Sequence, residues 1–276
     1  MRTLLTLFII AACTWGARAD ALTEAADSLR AYIATLDARV GVVVMADNGG
    51  LAAGSQAPAP MLSVMKFPLA LAVADKVRRT DATLDTPAAD GRSLRQLLDL
   101  ALRVSDNDAA DILIDYVGGT DSVQSFLNAQ GRIDTRILRT EADMHRDLML
   151  SYDNTSTPFS MARMMRDYDW HADDDLDTEI KSMLEACETG AGRLPAPLGG
   201  TGARIGHKTG TGPVNPVTGR IIAVNDAGYI HTPEGLHYAI AVFVTDSAYG
   251  LEETETIIAR ISAIVYNAVR AKGPVH

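Results

Sequence analysis

Cysteine is nearly absent from this chain. Two occur, Cys13 and Cys187. Cys13 falls in a segment that reads as removable, so no internal disulfide is expected even in an oxidising compartment. Positive charge is also in deficit: 25 Lys and Arg face 35 Asp and Glu, a net charge of −10. That surface argues against a nucleic-acid partner, which would need a basic patch to meet phosphate. After the first residues there is no apolar run long enough to cross a membrane, so a soluble product is expected. The six histidines show no metal-ligand spacing. His231 and His237 flank what reads as a hairpin turn and call for no metal, and no cofactor is implied. Internal repeats, low-complexity tracts and flexible linkers are missing too.

The N-terminus has one basic residue, Arg2, then apolar sequence from Leu4 to Ala12, then Ala17-Arg18-Ala19. This is the pattern of a secretory signal peptide over residues 1–19, cleaved after Ala19. Ile10-Ala11-Ala12-Cys13 offers an alternative, a lipoprotein box with Cys13 acylated. Cleavage after Ala19 leaves about 257 residues, enough for one large domain or two intimate ones, and takes the net charge to −12. The expected destination is the periplasm, as a monomer. Cys187 would then stand alone, in a helical apolar pattern that reads as a buried structural thiol.

The fold reads as α/β. Residues 22–36 are helical in pattern, and Arg39 to Met45 is a β-branched strand. Asp47-Asn48-Gly49-Gly50 signals a turn, with a short return strand from Leu51 to Ser55. Helical periodicity dominates from Ser63 to Ala186, in segments near 63–77, 93–102, 106–117, 120–129, 158–169 and 176–187. Strands return at Arg220 to Ile230 and Leu236 to Thr245. A final helix over 251–271 carries Ile257, Ile258, Ile261, Ile264, Val265 and Val269 on one stripe. Strands at both ends most economically share one antiparallel sheet covered by the terminal helices. Residues 20–58 and 190–276 would build that α/β lobe, and 59–189 an inserted all-helical lobe. The cleft between the lobes is the expected site.

Four clusters carry chemistry. Ser63-Val64-Met65-Lys66 puts a hydroxyl and an amine on one helical face, at the start of a helix that Pro68 should distort. A lysine desolvated beside a second cation loses proton affinity and can serve as a base. Taken alone, such a spacing is more often an N-cap with a surface lysine. Ser105-Asp106-Asn107 opens another helix and reads either as caps or as a proton shuttle (Ser105) with an amide donor to substrate (Asn107). Lys208-Thr209-Gly210-Thr211-Gly212 reads as a strand whose glycines permit close approach. There the N–H groups of Thr211 and Ser63 form a potential oxyanion hole, and Lys208, Thr209 and Thr211 a carboxylate site. Glu141 lies in a long polar stretch reaching Pro158, where it would either be solvated or act as a general base toward water.

In this order the four clusters resemble the motif set of class A serine β-lactamases. The resemblance spans essentially the whole chain beyond residue 19. Glu141-Ala142-Asp143-Met144-His145, His207-Lys208-Thr209-Gly210-Thr211 and Ala223-Val224-Asn225-Asp226 bring it closest to the PER/VEB-like, extended-spectrum branch. It implies acylation of Ser63 by a small-molecule β-lactam, with Lys66 and Glu141 as alternative acylation bases. It further implies proton delivery to the lactam nitrogen by Ser105, water activation by Glu141, and substrate contacts from Asn107, Thr209, Gly210 and Thr211. His145 stands where the family usually has an asparagine that helps hold the water. Asn154 stands where an aspartate usually pairs with the loop arginine, here Arg139, and Asp153 is the neighbouring substitute. Arg193 lies about where the PER/VEB-like branch carries a carboxylate-assisting arginine, with an ordinary surface arginine as the alternative. A D,D-peptidase and a β-lactam-sensing domain share the Ser-Lys and K-T-G chemistry. Peptidases generally lack that water-activating glutamate, and sensing domains are normally tethered to a signalling membrane segment.

Overall fold

A computed structural model of the protein describes residues 21–47, 49–171 and 173–271. The leader expected over residues 1–19, its alternative at Cys13, and Asn48 of the expected turn lie outside the described residues. In chain order the elements are helix α1 (21–33), β1 (Arg39–Ala46), β2 (Gly49–Gly54), β3 (Ala59–Pro60), α2 (Lys66–Arg78), α3 (Leu94–Arg103), α4 (Asn107–Val117), α5 (Thr120–Ala129) and α6 (Glu141–Arg146). There follow β4 (Thr155–Ser156), α7 (Pro158–His171), α8 (Asp175–Glu185), β5 (Arg204–Thr211), β6 (Ile221–His231), β7 (His237–Ser247) and α9 (Leu251–Arg270).

Five strands form one antiparallel sheet in the order β2-β1-β7-β6-β5. The alternation in β1 sends Val40, Val42 and Val44 to one face, where they pack with Leu22, Leu29, Ile258 and Ile261 of α1 and α9. Val43 faces the other way, with Ala227, Tyr229, Ala239, Ala241 and Phe243. The alanines on that second face let α7 lie close against the sheet. Both faces of β6 and β7 are therefore covered, which explains why their sequences run apolar without alternation.

In the helical lobe α2 is buried nearly all round, from Phe67 through Ala74 to Val77, and α3, α4, α5 and α8 surround it. A helix that is apolar on every side from Phe67 to Ala74 belongs at such a centre. Two expectations are corrected here. The segment near 63–77 is not one α-helix: Leu62–Met65 is a 3-10 turn and α2 begins at Lys66. That start places Pro68 in the first turn, where a missing N–H costs no intrahelical bond. The stretch from Glu141 to Pro158 is not pattern-free loop either. It holds α6 and a 3-10 turn over Leu148–Tyr152, both too short for periodicity to register. Among the described residues no helix is long and apolar enough to cross a membrane.

Candidate active site

The site lies where the helical lobe meets β5, the edge strand of the sheet. Ser63 sits in the 3-10 turn, behind Leu62, whose φ of 50° is rare for a side chain of that size. Two groups hold this strained turn. Asn225 of β6 donates from Nδ2 to the carbonyls of Pro60 (2.8 Å) and Met61 (3.2 Å). Gly210 of β5 packs flush against it: a Cβ there would stand 2.3 Å from the Met61 carbonyl oxygen. The glycine of Lys208-Thr209-Gly210 is thus what lets the strand reach the serine. Neither the Asn225 contact nor the left-handed Leu62 was legible from residue types alone.

Lys66 opens α2 and is 1% exposed. Its Nζ donates to Ser63 Oγ (2.9 Å), to the Ser105 carbonyl (2.8 Å) and to Asn107 Oδ1 (2.5 Å), and lies 3.4 Å from Ser105 Oγ. Burial pushes this amine below its ordinary range, against the opposing pull of Glu141. Accepting at Oδ1 leaves the Asn107 amide N–H groups to donate elsewhere. The capping reading of Ser105-Asp106-Asn107 holds at Asp106. Asp106 caps α4 by accepting from the Ala109 N–H at 2.7 Å. That frees Ser105, held left-handed at φ 65°, to turn its hydroxyl into the cleft.

There Lys208 Nζ donates to Ser105 Oγ at 2.9 Å, so one hydroxyl bridges two lysines. Lys208 is fully buried, and burial followed by the charge of Lys66 lowers its pKa to about 7. Along β5 the Gly212 N–H donates to the Ala223 carbonyl of the sheet at 2.8 Å. By the alternation of an antiparallel ladder, the Thr211 N–H points the other way, to the free edge beside the Ser63 turn. Thr211 is exposed, whereas Thr209 is 2% exposed and bonds Thr189 Oγ1 through its own hydroxyl at 2.5 Å.

Glu141 is only 6% exposed, so the solvated-loop alternative does not describe it. Its Oε1 lies 3.0 Å from Lys66 Nζ and 3.4 Å from Ser63 Oγ. Several contacts fix it. Thr140 and Asp143 form a capping box at the start of α6. Asp111 of α4 accepts the N–H groups of Glu141 (2.7 Å) and Ala142 (2.8 Å), and burial raises the pKa of that carboxyl. At the loop base Arg139 pairs with Asp153 at 2.7 Å. Asn154 takes the Leu138 and Arg139 N–H groups on one oxygen (2.8 and 2.9 Å) and returns its amide to the Arg139 carbonyl at 2.9 Å. Asp153 therefore makes the arginine pair, and Asn154 stitches backbone. His145 is exposed and its Nδ1 lies 3.1 Å from the Glu141 carbonyl oxygen; among the described residues no hydrogen bond joins its ring to Ser63, Lys66 or the Glu141 carboxylate.

Arg193 is no surface residue. At 2% exposure it donates to the Gly210 carbonyl (3.1 Å), the Asn225 carbonyl (2.8 Å), Thr211 Oγ1 (2.5 Å) and Glu255 of α9 (3.0 Å). It bears on the cleft through Thr211. Behind β5, His207 pairs with Asp226 at 2.8 Å. Burial opposes charge on His207, but Asp226 outweighs it and holds its pKa up at about 10. The expectation that the Cys187 thiol is buried needs correcting. Cys187 is half-buried, lies against Thr189 Oγ1 (3.3 Å) and His207, and has its pKa brought down to about 7 although burial opposes this.

A serine hydroxyl touching a buried amine and a buried carboxylate, beside a strand edge with an outward N–H, is equipment for acyl transfer through a serine ester. The comparisons give that class its family. The chain matches the β-lactamase enzyme family over residues 24–269. It is 33% identical to a β-lactamase of Bacteroides uniformis over 97% of this chain and 98% of that one. It is 32% identical to β-lactamase VEB-1 of Pseudomonas aeruginosa over 84% of this chain and 85% of that one. The crystal structure of a class A β-lactamase from Bacteroides cellulosilyticus superposes with a TM-score of 0.83 at 31% identity, covering 90% of this chain and 98% of that one. The chain belongs to the β-lactamase enzyme family, in class A, and is a hydrolase.

Proposed function

We propose that Ser63 opens the β-lactam ring and that Glu141 makes the reaction a hydrolysis rather than a stable acylation. Lys66 first passes a proton to the Glu141 carboxylate, 3.0 Å away, and the neutral amine then takes the Ser63 proton across 2.9 Å as Oγ bonds to the lactam carbonyl carbon. The N–H groups of Ser63 and Thr211 receive the oxyanion. When the C–N bond breaks, Ser105 gives its proton to the lactam nitrogen and is resupplied from the lysines it bridges. Lys208 and Thr211 hold the substrate carboxylate, with Thr209 behind them and Arg193 fixing Thr211, while Asn107 donates its amide to the substrate. Glu141, its proton returned to Lys66, then takes a proton from water as the water oxygen attacks the ester carbon, and passes that proton to Ser63 Oγ, 3.4 Å away, as the bond from carbon to Oγ breaks.

The observation carrying this reading is the buried Glu141 carboxylate 3.4 Å from Ser63 Oγ. A peptidase or sensor that stays acylated has no use for a base there. The chain acts as an exported periplasmic monomer after loss of residues 1–19, and its activity confers β-lactam resistance. The rebuilt loop over 139–154, with His145 exposed and Asn154 stitching its base, admits bulky oxyimino-cephalosporins. Ring opening of benzylpenicillin, a simple cephalosporin and an oxyimino-cephalosporin, followed by absorbance, tests both levels. Catalytic turnover of the first two is expected for the hydrolase. A kcat/KM for the oxyimino compound far below that for the simple cephalosporin would sink the loop argument. In Ser63→Ala no covalent penicillin adduct should form, and an adduct there would overturn the nucleophile.

A further inference from the structure

At the far end of the sheet the β6–β7 hairpin closes with His231 directly opposite His237. Their rings stack at 4.1 Å with planes 9° apart. Sequence spacing gave no reason to see a metal site here, because its third member is 62 residues away in the chain: Asp169, near the end of α7. One ligating atom from each of Asp169, His231 and His237 can be chosen so that all three lie within 4.8 Å of one another.

We propose that Asp169, His231 and His237 form a binding site for a zinc-class divalent ion, distinct from the serine centre. Two imidazoles and one carboxylate are a donor set that suits zinc and its late first-row neighbours. Three protein ligands leave a position for water. Ligands about 2.0–2.1 Å from a tetrahedral ion stand about 3.3 Å apart, so the trio must close by up to about 1.5 Å. Side-chain rotation supplies that.

Two features beyond proximity point to a ligand. The Asp169 side chain is 1% exposed, and its Oδ1 has no hydrogen bond of good geometry, only the Lys181 ammonium at 3.3 Å. Among the described residues no hydrogen bond reaches the His237 ring either, although Trp170 packs edge-on against it at 6.2 Å.

Two cations now occupy the surroundings. Lys181 Nζ stands 3.3 Å from Asp169 Oδ1 but is anchored at 2.8 Å to the Asp169 carbonyl. It can therefore yield the carboxylate without losing its partner. Arg204 Nη2 donates to His231 Nδ1 at 3.0 Å, which leaves the Nε2–H to donate to Asp169 Oδ2 at 2.8 Å. A metal on Nε2 needs the proton on Nδ1 instead, so Arg204, whose side chain is 65% exposed, must swing out. The ion would pin the hairpin to the end of α7.

The test uses untagged purified protein titrated with cobalt(II), then zinc(II). Trp170 is the one tryptophan outside the expected leader, since the other is Trp15, and it is an adjacent fluorescent reporter. Expected are visible cobalt bands and Trp170 quenching that saturate at one equivalent at micromolar metal, both reversed by zinc. His237→Phe, which keeps a ring in the stack, should weaken binding by more than the about 10–100-fold typical of losing an outer partner. Lys181→Met and Arg204→Ala should each tighten it. Absence of saturable one-to-one binding overturns the site, and so does unchanged affinity in His237→Phe with its fold intact by circular dichroism.

Discussion

Lys66 and Glu141 form an ion pair at 3.0 Å in the floor of the cleft, with the Ser63 hydroxyl within 3.4 Å of both. Neither charge is open to solvent, so each depends on the other and on the backbone around it. Breaking one partner leaves an uncompensated buried charge. The effects of Lys66 and Glu141 substitutions should therefore be strongly non-additive. In kcat/KM, Lys66→Met combined with Glu141→Gln should be far less damaging than the product of the two single losses. Multiplicative losses would mean the pair does not act as a unit.

Gly210 sets the distance between β5 and the Ser63 turn. Gly210→Ala places a methyl against the Met61 carbonyl and should cost about 1–3 kcal/mol of stability by overpacking. Acylation should fall further than that loss implies, because the Thr211 N–H moves with the strand. Denaturant unfolding and acylation rate measured together check this, and a wild-type acylation rate would contradict it.

Lys208 carries the pH dependence of binding. Burial, then Lys66, brings its pKa to about 7, so it is charged below that pH and neutral above it. A bound substrate carboxylate favours the charged form. KM should rise above neutrality, by up to about tenfold per pH unit, while kcat in the loaded enzyme changes less. A flat KM from about pH 6 to about pH 9 would show that Lys208 keeps its charge in the free enzyme.

The two residues at the loop base should separate stability from function. The Arg139 and Asp153 side chains are each more than a third exposed, so Asp153→Asn should cost only about 0–1 kcal/mol. Asn154→Ala strands two backbone N–H groups and a carbonyl and should cost about 1–3 kcal/mol. Thermal melts give the ranking, and the reverse order would contradict these assignments.

Most of this architecture was legible because its signals are local. Periodicity located α3, α5 and α9 to within a residue or two, since each buries one clean stripe. The motif residues Ser63, Lys66, Ser105, Asn107, Glu141 and Lys208 do converge. What stayed hidden depends on partners far apart in sequence. Asp111 holding α6, Asn225 holding the serine turn and His207 beside Cys187 each need the fold before their polar groups acquire a role. Arg193 was placed near the carboxylate site by resemblance, but its burial against α9 could not be read from its neighbours.

The most direct test follows intact mass while the purified protein consumes a chromogenic cephalosporin, alongside Glu141→Gln. The wild type should turn over steadily with little adduct. The variant should acylate at a comparable rate, then hold the acyl group on Ser63 with release slowed by about 10²–10⁴-fold. A wild type that gives one burst and a persistent adduct, or a variant that releases its acyl group normally, would contradict Glu141 as the base that completes hydrolysis.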